Sequence, residues 1–248
     1  MVHHGMVALP PGHRSLAHGC EDPVPGGLSA LSTCGGVRAR PVEGWSVYFG
    51  RNFEEVHVGI GVADRRVSRR QGVLTHRGGR WWVANTGNRP VRLPSSRWLH
   101  RQGPAVPLAA GYTPLFVPGS GARQHLLELY VVGPPDVVEP NAVEPATSWP
   151  LRPDERLATV VLGQRYLRHE ANPSPLPWRQ ATAQLAKLQP GRWRADRLEY
   201  LVADLQCRLG ACLPEAPDPT GGLLSELVRT RTLVPPDLAM LDPDRCDR

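Results

Sequence analysis

The sequence predicts a β-sandwich followed by a small helical domain, and the prediction depends on a change in hydrophobic period along the chain. Between residues 45 and 132, short apolar segments are separated by Gly and Pro, and residues 56–62 alternate with a period of two. After residue 150 the apolar residues recur every three or four positions, which is typical of amphipathic helices. The 27 Pro and 25 Gly also favour turns and linkers over a purely helical bundle.

Two hairpins are predicted inside the β-rich region. Residues 73–75 and 81–83 flank a turn that contains Gly78 and Gly79, and residues 114–117 and 126–132 flank a Pro-Gly-Ser-Gly segment. Because neighbouring side chains of a strand face opposite ways, we expect one residue of the pair Trp81-Trp82 in the core and the other at its rim. Many short strands without an amphipathic helix between them indicate a sandwich or a barrel.

The predicted domain boundaries follow the changes in hydrophobic period and in Gly and Pro content along the chain. Residues 1–40 show no sustained period and are rich in Gly, Pro, His and Ser, so they are expected to form a disordered arm. The β-sandwich is assigned to residues 41–133, a Pro-rich linker to 134–150, the helical domain to 151–240 and a tail to 241–248. Within the helical domain, the apolar spacing predicts helices over residues 154–168, 178–188, 194–209 and 223–229.

Composition restricts the class of partner. The formal net charge is +6 with a pI of about 9.4, which favours anionic partners such as phosphorylated proteins or nucleic acid. Five Cys without tight pairing indicate a reducing cytoplasm, and neither a signal peptide nor a membrane-length apolar run is present in the sequence. The His and Cys residues of the first 40 positions lack chelating spacing, so no metal and no cofactor are expected.

Three short motifs carry the functional prediction. They are Gly50-Arg51, then Ser68-Arg69-Arg70-Gln71, and then residues 82–88, which include Asn85 and Asn88. In this order and at this spacing they resemble the motifs of the forkhead-associated (FHA) domain family over about ninety residues. The resemblance implies an FHA/SMAD-like β-sandwich that binds phosphothreonine peptides through loops at one end.

The resemblance also implies a role for each residue. A phosphate dianion needs several donors that converge from separate loops, because a single exposed Arg makes only a weak contact. Arg51 would bind the phosphate, Ser68 would add a hydroxyl bond and Arg69 a second cationic donor or a backbone contact. Asn88, or Asn85 if the loop is placed differently, would bond the peptide backbone beside the phosphothreonine.

Two departures from the family pattern stand out. Gln71 occupies the position of the family's His, which mainly orients neighbouring loops; Gln can also donate and accept hydrogen bonds, so the architecture is expected to survive. The family's Ser-Thr-Asn-Gly run is shortened here to residues 86–90, which puts recognition of the peptide backbone in question even if phosphate binding remains.

The helical region resembles a degenerate form of the winged helix-turn-helix regions of some actinobacterial-type FHA proteins, and a protein-interaction domain is the alternative. Residues 178–188 and 194–209 would be the two helices, and Arg192, Arg194 and Arg197 could contact a DNA backbone. Acidic residues on the exposed face of the second helix would oppose that contact. They are Asp196, Glu199 and Asp204.

The sequence therefore predicts a binding protein and not an enzyme, since it contains no nucleophile elbow, no phosphate-cradling loop with Lys and no His-Glu-x-x-His motif. The favoured function is a phosphothreonine-dependent adaptor in Ser/Thr-kinase signalling, with a phosphothreonine-containing protein and a Ser/Thr protein kinase as partners and no membrane partner. The alternatives are a transcriptional regulator that binds DNA through the helical domain, and a scaffold whose FHA-like site no longer recognises phosphate.

Overall fold

The computed structural model describes residues 5–133, 148–209 and 218–242. The chain divides into two compact units, Met1–Val143 and Glu144–Arg248. Most of the predicted linker (134–147) and most of the predicted tail (243–248) lie outside the described residues. Within the described residues, no helix is long and apolar enough to cross a membrane.

The first unit is a β-sandwich, which confirms this part of the predicted fold class, whereas the helix-turn-helix character of the second domain stays a prediction. Its strands in chain order are β1 (Met6–Leu9), β2 (Leu28–Ser32), β3 (Gly35–Ala39), β4 (Ser46–Gly50), β5 (Val58–Gly59), β6 (Gly72–Arg77), β7 (Arg80–Asn85), β8 (Val91–Arg92), β9 (Trp98–Leu99), β10 (Val106–Pro107), β11 (Gly111–Pro118) and β12 (Gln124–Val131). One sheet has seven strands in the order β1-β3-β2-β12-β11-β8-β9, and the other has five in the order β10-β7-β6-β4-β5.

Apolar side chains from both sheets form the larger of two buried clusters described in the first unit. Phe49, Leu74 and Trp81 from the five-stranded sheet pack in one cluster with Leu115 and Leu127 from the seven-stranded sheet. The Trp81 indole also donates a hydrogen bond to the Gly26 carbonyl, at 2.9 Å, so its polar edge is satisfied although the residue is only 1% exposed. Trp82 is half-buried, as the alternation of strand faces predicts. Both predicted hairpins are present, as β6–β7 and β11–β12.

The structure corrects the prediction of a disordered arm over residues 1–40. Strands β1, β2 and β3 lie in this segment and form one side of the seven-stranded sheet, where β2 pairs with β12. The many small residues that suggested disorder are needed for close strand packing: a Cβ on Gly36 would lie 2.0 Å from the Ala30 carbonyl oxygen. β2 is buried along its whole length, so it lacks the alternation by which a half-exposed strand is recognised.

The strand predicted over residues 56–62 is shorter than expected. Only Val58–Gly59 pairs as a strand, parallel to the end of β4, whereas every other strand pairing described in the two sheets is antiparallel. Gly61 has a φ of +58°, which turns the chain directly after Ile60. The apolar alternation therefore reflects two buried positions beside a turn and not one continuous strand.

The second unit is helical, with element bounds close to the predicted ones. It contains α1 (Pro153–Leu167), α2 (Trp178–Leu188), α3 (Ala195–Leu209), α4 (Pro219–Arg229) and a final 3₁₀ helix (Pro235–Leu241). α1 and α4 begin with Pro, whose missing N–H costs nothing in a first turn. α3 buries one apolar stripe against a core that all four α-helices share. This stripe consists of Leu198, Val202, Leu205 and Leu209.

Candidate functional site

Strand pairing brings four loops together at one end of the strands of the five-stranded sheet. Gly72 at the start of β6 pairs with Phe49 in β4 and with Asn85 at the end of β7. β10 pairs with β7, so the loop that precedes β10 lies at the same end of the sheet. Every predicted phosphopeptide-binding residue lies in these loops or at their borders. We call these loops the loop cluster; its segments are residues 51–57, 60–71, 86–90 and 100–105.

The first two segments of the loop cluster are joined by their backbones. The Arg51 amide donates to the Ser68 carbonyl at 3.1 Å, and the Asn52 amide donates to the Arg69 carbonyl at 3.3 Å. This approach is so close that a Cβ on Gly50 would lie 2.1 Å from the Arg69 oxygen. The Gly-Arg motif therefore has a physical basis, since Gly50 lets the two loops touch and Arg51 follows at the point of contact.

The Arg51 guanidinium has no hydrogen bond or ion pair among the described residues. Its Nε is buried without a hydrogen-bond partner, while the residue as a whole is half-buried. Buried polar groups in proteins are nearly always paired, so a buried unpaired nitrogen needs an explanation. An anionic ligand that completes the hydrogen bonding of Arg51 is one such explanation.

Ser68 and Asn88 are also joined. The Asn88 amide donates to the Ser68 Oγ at 3.0 Å, which leaves the hydroxyl proton of Ser68 without an acceptor among the described residues. A serine hydroxyl can accept and donate at once, so Ser68 can hold the third segment in place and still donate to a ligand. The structure thus brings Arg51, Ser68 and Asn88 together through backbone contacts, while Arg69 is exposed beside them.

Gln71 is the centre of the hydrogen-bond network beneath the loop cluster. Its side chain, fully buried, accepts from the Ser68 amide at 3.1 Å and donates to Asn85 Oδ1 and to the Arg89 carbonyl at 2.9 and 2.8 Å. Its backbone carbonyl accepts from the Thr86 and Gly87 amides as well. A side chain that both donates and accepts is required here, which agrees with the expectation that Gln can replace the family's His.

Asn85 lies in a place that corrects one of the predicted site residues. It is 4% exposed, and its carboxamide makes hydrogen bonds to Gln71, to the Gly87 amide and to the carbonyls of Arg89 and Leu99. A buried amide with all its bonds satisfied inside the protein has nothing left for a peptide. Asn85 therefore shapes the 86–90 segment, and Asn88 is the exposed Asn of the pair.

The structure adds Arg101, which the sequence analysis did not select. Arg101 is exposed in the 100–105 segment, and its Nη1 donates to Asn88 Oδ1 at 2.6 Å. The segment follows the short strand β9 and has no recognisable motif, so only the fold brings it beside Asn88. Arg70, by contrast, is engaged locally: it lies 3.5 Å from Glu55 and 5.1 Å above the Tyr48 ring.

A buried carboxylate, Asp64, connects the 60–71 segment to residues of β12 and of the turn before it. Asp64 accepts from the Ser120 backbone amide (2.7 Å) and hydroxyl (2.6 Å), contacts His125 Nε2 at 2.9 Å and caps the Arg66 amide. Burial alone would raise the pKa of Asp64, but the hydrogen bonds of Ser120, His125 and Arg66 outweigh it and lower that pKa far below its usual range. The ionised form of Asp64 therefore ties the loop that carries Ser68 to the β11–β12 turn.

The three Arg residues predicted to contact DNA have different surroundings in the second unit. Arg192 and Arg197 both bond to Asp154 Oδ2, at 3.1 and 2.8 Å, and Arg197 also lies over the Trp193 ring. Arg194 is exposed and has no side-chain partner among the described residues. Two of the three cations are thus already paired, although DNA binding by the helical unit stays a prediction.

Comparisons with known proteins return FHA domains. No family model matches the sequence, and no curated protein matches it. Among solved structures, an FHA domain of an Arabidopsis thaliana hypothetical protein is 17% identical, covers 48% of this chain and 97% of its own, and has a TM-score of 0.36. The FHA-1 domain of a Mycobacterium tuberculosis protein is 21% identical, covers 44% and 99%, and has a TM-score of 0.33.

A third solved structure is the MEK1 FHA domain in complex with a phosphothreonine peptide of HOP1. It is 14% identical, covers 44% of this chain and 98% of its own, and has a TM-score of 0.32. In the order of its three loop motifs and in the solved structures that it matches, the first unit of the chain resembles an FHA domain.

Proposed function

We propose that the chain is a phosphothreonine-dependent adaptor whose loop cluster binds a phosphorylated segment of a partner protein. The observation that carries the proposal is the Arg51 guanidinium, which has no partner among the described residues although its Nε is buried. Arg51 lies on a backbone that is hydrogen-bonded to the Ser68 carbonyl, so the loop that carries this cation and the loop that carries the Ser68 hydroxyl are joined at their backbones. That arrangement suits a phosphate group better than a single carboxylate.

The chemistry of the phosphate supports these roles. A phosphothreonine carries a charge of about −1.5 to −2 at neutral pH and presents three strong acceptor oxygens. The Arg51 guanidinium can donate two parallel bonds, and the Ser68 hydroxyl can add a third because its oxygen already accepts from the Asn88 amide. Arg69 is exposed on the same segment as Ser68 and can supply further positive charge.

Recognition of the peptide backbone falls to Asn88 in this proposal. Its side chain is exposed, and its backbone position is set by the bond to Ser68. The shortened 86–90 segment is held by Gln71 and Asn85, which both donate to the Arg89 carbonyl. We propose that the partner is phosphorylated by a Ser/Thr protein kinase and that the chain thereby acts in kinase signalling.

The test is a titration of the full chain with a degenerate phosphothreonine peptide library and with its unphosphorylated counterpart. The full chain is needed because β1–β3, over residues 6–39, belong to the sandwich. Arg51→Ala is expected to weaken phosphopeptide binding about a hundredfold or more, since it removes charge-assisted bonds to the phosphate. Thermal unfolding should be nearly unchanged, because the Arg51 side chain makes no hydrogen bond or ion pair with a described residue.

Arg80→Ala is the matched control. Arg80 is equally cationic, is exposed at the start of β7 at the opposite end of the sheet and has no side-chain partner among the described residues. It should leave the affinity within about twofold, the effect expected of a distant screened charge. Equal binding of both libraries, or equal affinities of the Arg51→Ala variant and the native chain, would contradict the proposal and favour a scaffold or the helical unit as the functional part.

A further inference from the structure

We propose that Arg101 makes the loop cluster selective for phosphothreonine peptides that carry acidic residues next to the phosphothreonine. The inference rests on the proposed function and names the class of ligand that this site takes. It follows from three features of the described residues: the orientation that Arg101 imposes on Asn88, the donors that Arg101 keeps free, and the balance of charge around the loops.

The contact between Arg101 and Asn88 defines which way the Asn88 amide points. A guanidinium has only donors, so the Asn88 atom that lies 2.6 Å from Arg101 Nη1 must be the carbonyl oxygen. The NH₂ group of Asn88 has no acceptor among the described residues and is left to donate. Arg101 thus orients Asn88 as a donor toward a carbonyl group of the bound peptide, and it does so from a loop that carries none of the three motifs.

Arg101 has further donors available at the same place. Of the five N–H donors of its guanidinium, one bonds Asn88, and no other side-chain bond of Arg101 is formed within the described residues. The residue is exposed, so these donors face solvent beside the position proposed for the peptide backbone. A carboxylate is the peptide side chain that matches the planar fork of a guanidinium.

The charge balance of the loop cluster points the same way. Arg51, Arg69 and Arg89 have no side-chain partners in the described part of the chain. The acids of the loop cluster offset little of this charge: Glu55 accepts from Asn52 at 2.7 Å and pairs with Arg70, Asp64 is bonded to Ser120 and His125, and Glu54 alone is exposed without a side-chain partner in the described part of the loop cluster. One phosphate neutralises at most about two of the free cations. Acidic flanking residues would neutralise the remainder.

The experiment compares two phosphothreonine peptide libraries that differ only at the positions flanking the phosphothreonine, which hold Glu in one library and Gln in the other. Full-length protein is titrated with both. The native chain should prefer the Glu library by about tenfold at low salt. Arg101→Gln should reduce that preference to about threefold or less, because the other cations of the loop cluster keep a weaker attraction.

Arg80→Gln is the matched control, since it removes the same charge from the far end of the sheet and should retain the full preference. A merely structural role for Arg101, holding Asn88 in place, would weaken both libraries by the same factor; that result would overturn the inference. Equal binding of the two libraries by the native chain would overturn it as well and leave the proposed function standing. Failure of both phosphopeptide libraries to bind would overturn the proposed function together with the inference.

Discussion

Arginine is used in opposite ways in the two units of this chain. In the loop cluster, Arg51 has no acidic partner among the described residues; the amide groups of Gln71 and Asn85 hold the loops around it, and the Asp64 carboxylate bonds Ser120 and His125 instead of a described Arg side chain. In the second unit, Arg152 and Arg208 share the buried carboxylate of Glu155, and Asp154 accepts from both Arg192 and Arg197. The first arrangement leaves positive charge available, and the second neutralises it.

This difference shows how a binding site can be told apart from a charged structural network. In the network around α1 of the second unit, Arg side chains pair with carboxylates, as Arg208 does with Glu155 at 2.9 Å. Where a ligand is to be bound, a carboxylate paired with the binding cation would compete with that ligand, so the bonds next to this cation are made by groups without net charge. Gln71 and Asn85 meet that requirement beneath Arg51.

The largest stability effect is expected from the network of the second unit. Glu155→Ala removes the acceptor for the Arg152 amide and for the guanidinium groups of Arg152 and Arg208, and should lower the free energy of unfolding of this unit by about 3 kcal/mol. Far-UV circular dichroism at the helical band measures the loss, because the described α-helices all lie in this unit. Phosphopeptide affinity should not change.

The control for that variant is Glu199→Ala. Glu199 is exposed on α3 and has no side-chain partner among the described residues, so its removal should change stability by less than about 0.5 kcal/mol. A loss of phosphopeptide affinity in Glu155→Ala without a loss of helical stability would contradict the division of roles between the two units.

The second largest stability effect is expected from Gln71, whose uncharged side chain holds the segments of the loop cluster together. Gln71→Leu leaves the Ser68 amide without its acceptor and the Arg89 carbonyl with one donor fewer, and should destabilise the first unit by about 2 kcal/mol. Amide hydrogen exchange should accelerate at Ser68, Thr86 and Gly87, and phosphopeptide binding should weaken with it. Gln180→Leu, at an exposed position of α2, is the control. Unaltered exchange in the loops would show that Gln71 does not organise them.

The smallest of the three effects concerns pH and Asp64. Since the folded-state pKa of Asp64 lies below its unfolded value, its contribution to stability is present above about pH 4 and is lost as pH falls below that value. Asp64→Asn should cost about 1 kcal/mol at neutral pH, and the difference from the native chain should shrink toward pH 3. Urea unfolding between pH 3 and 7 measures this, with the exposed Asp22→Asn as control. A pH-independent difference would contradict the assigned role.

The parts of the fold that could be predicted are those in which apolar residues recur with one regular spacing, so that one face of the strand or helix is buried. The hairpins β6–β7 and β11–β12 and the four α-helices lie near their predicted positions because each buries one face or stripe. The segment before residue 41 was misassigned for the reverse reason. β2 is buried on both faces and β3 contains two Gly, so neither presents the alternating pattern that marks a half-buried strand.

The candidate site divides in a similar way. Arg51, Ser68 and Asn88 are in the motifs that resemble those of FHA domains, and the structure brings them together. Asn85 and Asn88 could not be separated by sequence, because both belong to the same short segment and only burial distinguishes them. Arg101 could not be found at all, since it is thirteen residues beyond Asn88 and reaches it through the course of β8 and β9.

By itself, the sequence determined the two-part architecture, the order of the loop motifs and the excess of positive charge, because these depend on residue type and local spacing alone. Only the tertiary structure decided which Arg residues are neutralised and which are left free, which Asn is exposed, and which strands complete the sheet. These outcomes depend on contacts between segments distant in the chain, such as Glu155 with Arg208 or Asn88 with Arg101, and no local pattern encodes such pairings.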